Sequence, residues 1–135
     1  MSYAIIRNEK KKLKDLAGLF KHNQRRYKKH SNLDIIEEKT KGNYFIKKCP
    51  TTYTTAFYNL IKKYNLLDTT KVIKKNRVVV CEMIITSDNA FFNNNGETEE
   101  KRYFQEAFNF IANYKGLTEE FILDAVIHKD EKEPH

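Results

Sequence analysis

The last eight residues read His128-Lys129-Asp130-Glu131-Lys132-Glu133-Pro134-His135, placing two imidazoles and three carboxylates in one short stretch. Nitrogen and carboxylate donors at that density are the ingredients of a divalent-metal site. The same residues also suit a solvated acidic tail, and donor types alone do not separate the two. Alternation along residues 121–127 puts Asp124 and His128 on the more polar face of a strand, where such a site would be built. The other two histidines, His22 and His30, sit in a basic stretch far upstream. Cys49 and Cys81 show no ligand spacing and read as two reduced cytosolic thiols.

A net charge of +7 conceals an asymmetry between the two halves. Residues 1–77 carry 20 Lys or Arg against 6 Asp or Glu, whereas residues 78–135 carry 5 against 12. A basic half joined to an acidic half suggests a polyanion on one side and a cation on the other. Lysine that only keeps the chain soluble would give a similar composition, so charge leaves both readings open.

The elements that must position these groups follow from periodicity. At 135 residues the chain has the length of one domain, and 17 Phe and Tyr can seed its core despite a mean hydropathy of −0.72. It contains no apolar run long enough for a membrane helix and no secretory leader. Residues 3–7 read as a first strand. Leu13, Leu16, Ala17 and Phe20 predict an amphipathic helix that carries His22, Arg25, Arg26, Lys28 and Lys29 toward its C-terminal end. A short strand is expected around Tyr44, Phe45 and Ile46, stopped by Pro50. Tyr53, Ala56, Phe57, Leu60, Ile61, Tyr64 and Leu67 form the cleanest helical stripe in the sequence. The basic loop Lys71 to Arg77 leads into Val78–Thr86, apolar on both faces except at Glu82, as in a central strand. Asn93 to Gly96 reads as a turn, residues 103–114 as a helix capped by Gly116, and residues 121–127 as a final strand. There is no internal repeat, low-complexity tract or linker. The expected fold class is α+β, one domain over residues 1–135, with helices covering at least one face of the strands.

With the order of elements in hand, the tail gains context. His128, Asp130, Glu131, Pro134 and His135 stand in register with the signature H-x-D-E-x-x-P-H-x-H, and the segment resembles that motif in the plasmid mobilization relaxases of the Mob/Pre (MobV) family. The likeness extends upstream. Met1-Ser2-Tyr3, Phe20-Lys21-His22-Asn23 followed by Arg25, and His30-Ser31-Asn32 followed by Asp34-Ile35 are similar to the family's early blocks. Asn43-Tyr44, Cys81-Glu82, Ile84 to Asp88 and Phe91-Phe92 continue the series in order, while residues 47–77 match poorly.

The resemblance implies a DNA-nicking enzyme of the histidine–hydrophobe–histidine endonuclease fold, an antiparallel sheet with helices packed on one face. It implies cleavage of one strand at an origin of transfer by transesterification, with the protein left covalently on the 5′ phosphate. Such chemistry needs a nucleophile, neutralised phosphate oxygens and in-line geometry. His22 is the implied nucleophile, with Tyr44 the alternative nucleophile or a DNA contact. Arg25 is expected to hold the scissile phosphate two-pronged. His128 and His135 are expected to ligate Mn²⁺ or Mg²⁺, Glu131 to lie beside the metal, and Asp130 to support a ligand from behind. His30 matches the pattern without an assigned chemical role.

The DNA contacts are expected from Asn23, Arg26, Tyr27, Lys28, Lys29, Asn43, Lys74, Lys75 and Arg77, with Tyr27 and Tyr44 stacking on unpaired bases. The partners implied are single- and double-stranded plasmid DNA in the bacterial cytoplasm, the conjugation machinery, and a second copy of the chain. The signature's third histidine would fall two residues beyond His135. The expectation is therefore a domain incomplete at its C-terminus, with His135 on a mobile end, weak metal binding and an unpaired strand edge prone to self-association. A binding module that recognises the origin or its own promoter without nicking is the competing reading.

Overall fold

The structure, a computed structural model, describes residues 2–26, 35–68, 70–131 and 133–135. His30, with Tyr27, Lys28 and Lys29 of the expected DNA contacts, lies outside them. Strand β1 (Ile5–Lys12) leads through a tight turn at Leu13–Asp15 into helix α1 (Leu16–Asn23). Strand β2 (Tyr44–Lys47), helix α2 (Tyr53–Tyr64) and strand β3 (Val78–Thr86) follow, then helix α3 (Asn89–Ala112) and strand β4 (Ala125–Ile127). The class is α+β with antiparallel strands, as the sequence indicates.

Two antiparallel ladders form, β1 with β3 and β2 with β4. In the first, Ile5 pairs with Thr86 and the register continues to Lys11 with Val80 before slipping at Lys12. In the second, Tyr44 pairs with Ile127 and Phe45 with Val126. A cleft of about 1160 Å³ is lined by Val80, Glu82 and Ile84 of β3 and by Val126, His128 and His135 on the β4 side.

Local chemistry sets the helix ends. Thr52 caps α2 by accepting the Thr55 amide, and Asn65 closes it in the left-handed conformation, a role Asn tolerates. Asp88 caps α3 by accepting the Phe91 amide at 2.8 Å. Gly96 breaks α3 with φ 77 and ψ 179, a conformation open to glycine alone. The core forms in two parts. Leu16, Cys49, Tyr53, Phe57 and Ile61 join α1 to α2, and Phe92, Phe104 and Ile127 join α3 to β4.

Several boundaries differ from expectation, each for a physical reason. The first strand runs to Lys12 because an edge strand tolerates Lys10, Lys11 and Lys12 once β3 supplies its ladder. Asn93 to Asn95 are helical, and the break falls at Gly96 alone. Helix α3 ends at Ala112, and Gly116 (φ 78) serves the tight turn after it instead of capping the helix. The expected strand at 121–127 begins only at Ala125, because Glu119–Phe121 forms a 3-10 turn.

Candidate active site

The first part of the site is built on the end of α1. Helix α1 stops at Asn23, and Arg25 adopts φ 54, left-handed for a residue that is not glycine. The Arg26 amide donates to the Lys21 carbonyl at 2.8 Å and the Arg25 amide to the His22 carbonyl at 3.1 Å, a Schellman closure with arginine where glycine is usual. This corrects the expectation that the helix runs on through Arg25 and Arg26. The strained backbone costs about 1–2 kcal/mol, and the arginine side chain offsets it through the contacts below.

Arg25 turns inward, its side chain only 6% exposed. Its Nε donates to Asp130 Oδ2 at 2.7 Å and its Nη2 to Asp130 Oδ1 at 2.8 Å and Glu131 Oε1 at 2.9 Å. Asp130 is fully buried and also accepts from the Thr40 hydroxyl at 2.7 Å. Burial alone would raise the Asp130 pKa, but the Arg25 and Thr40 hydrogen bonds and the Arg25 charge hold it well below the usual carboxylate range. The main chain on either side is held as well: the Ile36 amide donates to the Asp130 carbonyl at 2.5 Å, and the Lys129 amide to Asn43 Oδ1 at 2.6 Å. Asp130 thus gathers three sequence-distant segments.

Around that hub the imidazoles converge. Glu131 Oε1 lies 3.9 Å from His22 Nε2, and Glu131 Oε2 lies 3.6 Å from His135 Nε2. The rings of His22 and His128 are 6.1 Å apart, and those of His128 and His135 are 5.4 Å apart. His128 and His135 exchange backbone hydrogen bonds, His128 amide to His135 carbonyl at 2.8 Å and the reverse at 3.3 Å. Residues paired this way project from the same side of the ladder. The main chain thereby ties His135 to His128.

His128 is buried and neutral: desolvation first, and then the Arg25 charge, lower its pKa to about 3. Its Nδ1 is buried without a hydrogen-bond partner among the described residues. His135 Nδ1 lies 2.9 Å from the Glu133 carbonyl, and its Nε2 faces Glu131 Oε2 at 3.6 Å. Among the described residues no three His, Cys, Asp or Glu side chains stand as a ready-made metal site. The residue types that meet here, two imidazoles and a carboxylate, are kinds of donor that divalent cations take.

The chain matches the plasmid recombination enzyme family, Mob_Pre, over residues 1–135. It belongs to that family. Among curated plasmid recombination enzymes it is 35% identical to one from Bacillus over 136 residues, covering all of this chain and 32% of the relative. With the Lactiplantibacillus plantarum enzyme it shares 37% over 139 residues, covering 37% of that protein. The chain thus spans about a third of the length of these relatives. Its structure is similar to the MobM relaxase domain bound to plasmid pMV158 oriT DNA and manganese, with TM-score 0.85 and 32% identity over 98% of this chain and 67% of that one. A second MobM complex, with 26-nucleotide oriT DNA, gives TM-score 0.74.

Within the Mob_Pre fold the remaining expected residues divide into two groups. Asn23 and Asn43, expected at DNA, turn inward: Asn23 donates to the Tyr53 hydroxyl at 3.1 Å and lies 3.4 Å from His128 Nε2, while Asn43 anchors Lys129. Asp130, expected behind a metal ligand, spends its carboxylate on Arg25 and Thr40. Tyr44 packs in the α3–β4 core with its hydroxyl buried and unpartnered among the described residues; burial, then Glu100 and Glu97, push its pKa up to about 12. Arg26, Lys74, Lys75 and Arg77 are exposed, as a phosphate-binding surface requires.

Two hydroxyls escaped sequence reasoning, those of Tyr53 and Thr40. The Tyr53 hydroxyl donates to Asp124, which also accepts from Gln24 at 2.8 Å and the Cys49 amide at 3.2 Å. The polar-face position of Asp124 was a usable signal. Tyr53 and Thr40 carried none, being an aromatic in a helical stripe and a threonine in a loop.

Proposed function

We propose that this chain is the nicking segment of a plasmid mobilization relaxase, cutting one strand at an origin of transfer and remaining joined to the 5′ phosphate. The observation that carries this reading is the meeting of His22, from one end of the chain, with Glu131, His128 and His135 from the other. His22 supplies the nucleophile: its ring nitrogen forms a bond to phosphorus as the bond to the 3′ oxygen breaks, the proton on the other ring nitrogen passes to water, and the 3′ oxygen leaves as a hydroxyl after taking up a proton from water. Tyr44 is disfavoured for that role because its pKa is raised and its hydroxyl is enclosed by the α3–β4 core.

His128 and His135 would hold Mn²⁺ or Mg²⁺ with Glu131 beside them; when bound, the ion supplies positive charge to the non-bridging oxygens of the scissile phosphate. Neutral His128 is ready to serve without losing a proton at pH 7. The exposed Arg26, Lys74, Lys75 and Arg77 contact the DNA backbone in this reading. The chain would act on plasmid DNA in the bacterial cytoplasm, with conjugation proteins and a second copy as further partners. Among the described residues no helix is long and apolar enough to cross a membrane.

The test is a supercoiled plasmid carrying a cognate origin, incubated with Mn²⁺ or Mg²⁺ and resolved under denaturing conditions. Relaxed circles with protein retained on the cut strand support the proposal. Origin binding without any cut strand would instead favour a recognition module.

A further inference from the structure

His128 is buried, and its ring has few handles. Among the described residues its Nδ1 has no hydrogen-bond partner, and the one side chain within hydrogen-bond reach of the ring is Asn23, whose Oδ1 lies 3.4 Å from Nε2. Whatever fixes the Asn23 carboxamide therefore bears on how the His128 ring is set.

That carboxamide stands at the end of a relay. Asn23 Nδ2 donates to the Tyr53 hydroxyl at 3.1 Å, and the hydroxyl donates its own proton to Asp124 Oδ2. Burial first, and then the hydrogen bond to Asp124, raise the Tyr53 pKa, so the hydroxyl keeps its proton for Asp124 and its oxygen accepts from Asn23. With its nitrogen committed to Tyr53, the Asn23 carboxamide turns its oxygen to His128. Asp124 is held from two further sides, by Gln24 Nε2 at 2.8 Å and by the Cys49 amide at 3.2 Å. Tyr53 is 3% exposed, and its ring meets Phe20 edge-on with centroids 5.1 Å apart, which leaves the hydroxyl one place to stand.

From these contacts we infer that Asp124, Tyr53 and Asn23 are positioning residues for the His128 ring. Asp124 and His128 bracket β4, so the alternation of the strand puts the two ends of the relay on one face. The carboxylate is the anchor, the tyrosine the link, and the asparagine the contact. Their role rests on the reading of His128 as a residue of the nicking site, and it names the side chains that hold that residue in place.

The relay is visible in spectra of the full 135-residue chain with labelled histidine, recorded without metal or DNA. In the native protein, through-space cross-peaks should link the Asn23 side-chain amide to the Tyr53 and His128 rings. Tyr53→Phe keeps the packed ring and drops only the hydroxyl; it should displace the His128 ring signals, as should Asn23→Ala. The double variant should go no further than Asn23→Ala alone, because one relay is being cut twice. Gln24→Ala also takes a hydrogen bond from Asp124, but off the path to His128, and should leave those signals in place. A second arm follows origin nicking with Mn²⁺. Tyr53→Phe should lower kcat by about tenfold with KM nearly unchanged, the low end of the loss when a residue that orients an active-site imidazole is removed.

Positioning by this relay is refuted if the native cross-peaks between Asn23 and His128 are absent, or if folded Tyr53→Phe leaves the His128 signals or kcat where they were. It is refuted equally if Gln24→Ala moves the signals as far, or if the double variant moves them by the sum of the two. Should the variants unfold, the native cross-peaks decide. Should the native chain nick nothing, the nicking proposal falls while the spectra continue to judge the relay.

Discussion

Arg25 and Asp130, 105 residues apart in sequence, close a two-pronged ion pair in which the carboxylate is fully buried and the guanidinium nearly so. A buried pair of this kind is costly to break from one side, since the surviving charge is stranded in a poor solvent for it. Asp130→Ala should therefore lower unfolding stability by about 3–5 kcal/mol, read by urea denaturation. Arg25→Met combined with Asp130→Leu should recover most of that loss. An unchanged single variant would show that the pair carries no such weight.

The tyrosines give a pH dependence with a definite sign. Tyr44 is held protonated in the fold, its pKa raised to about 12 by burial and then by Glu100 and Glu97, whereas an unfolded tyrosine ionises near about 10. A raised folded pKa means that the contribution is intact below the unfolded value and is lost as pH rises through the folded one. Stability should fall between about pH 10 and pH 12, and Tyr44→Phe should flatten that decline. At pH 7 the same variant should be neutral or stabilising, since it removes a buried hydroxyl that has no partner among the described residues.

Leu16 is fully buried where α1 meets α2. Leu16→Ala should cost about 3 kcal/mol, the range seen when a core leucine is truncated and its surroundings only partly relax. Thermal melting against the native chain checks it.

His22→Ala should abolish the covalent protein–DNA adduct while leaving oligonucleotide affinity within about threefold, because a single neutral side chain contributes little to an interface of many phosphates. Tyr44→Phe should keep the adduct. The reverse pattern on a denaturing gel would exchange the two roles.

Lys74, Lys75 and Arg77 lie exposed just before and at the entry to β3. Replacing all three with alanine should reduce the magnitude of the log–log salt slope for single-stranded DNA by about 2, at about 0.7 for each phosphate no longer neutralised. Melting temperature should hardly move. A slope that stays put would place the DNA elsewhere on the surface.

The helical stripe of α2, the apolar run of β3 and the donor cluster at 128–135 were legible because each is a periodic or compositional pattern written in consecutive residues. The end of α1 was not. Its Schellman turn is normally announced by glycine, and here an arginine takes the left-handed position because its side chain is anchored more than a hundred residues away. The inward turn of Asn23 and Asn43 was hidden for a related reason. An asparagine beside basic residues reads as a surface group until the strand it anchors is in place. Likewise β1 looked short because Lys10 to Lys12 gain strand character only from the ladder with β3.

The reciprocal backbone bonds between His128 and His135 make the loop between them behave as a ruler. Directly opposed residues share a face, so both imidazoles point the same way only while the number of intervening residues holds this register. Deleting or adding one residue there would set a different neighbour opposite His128 and carry its partner imidazole out of alignment, with every donor atom still present in the sequence. What such a motif specifies is a distance along the chain as much as a set of side chains.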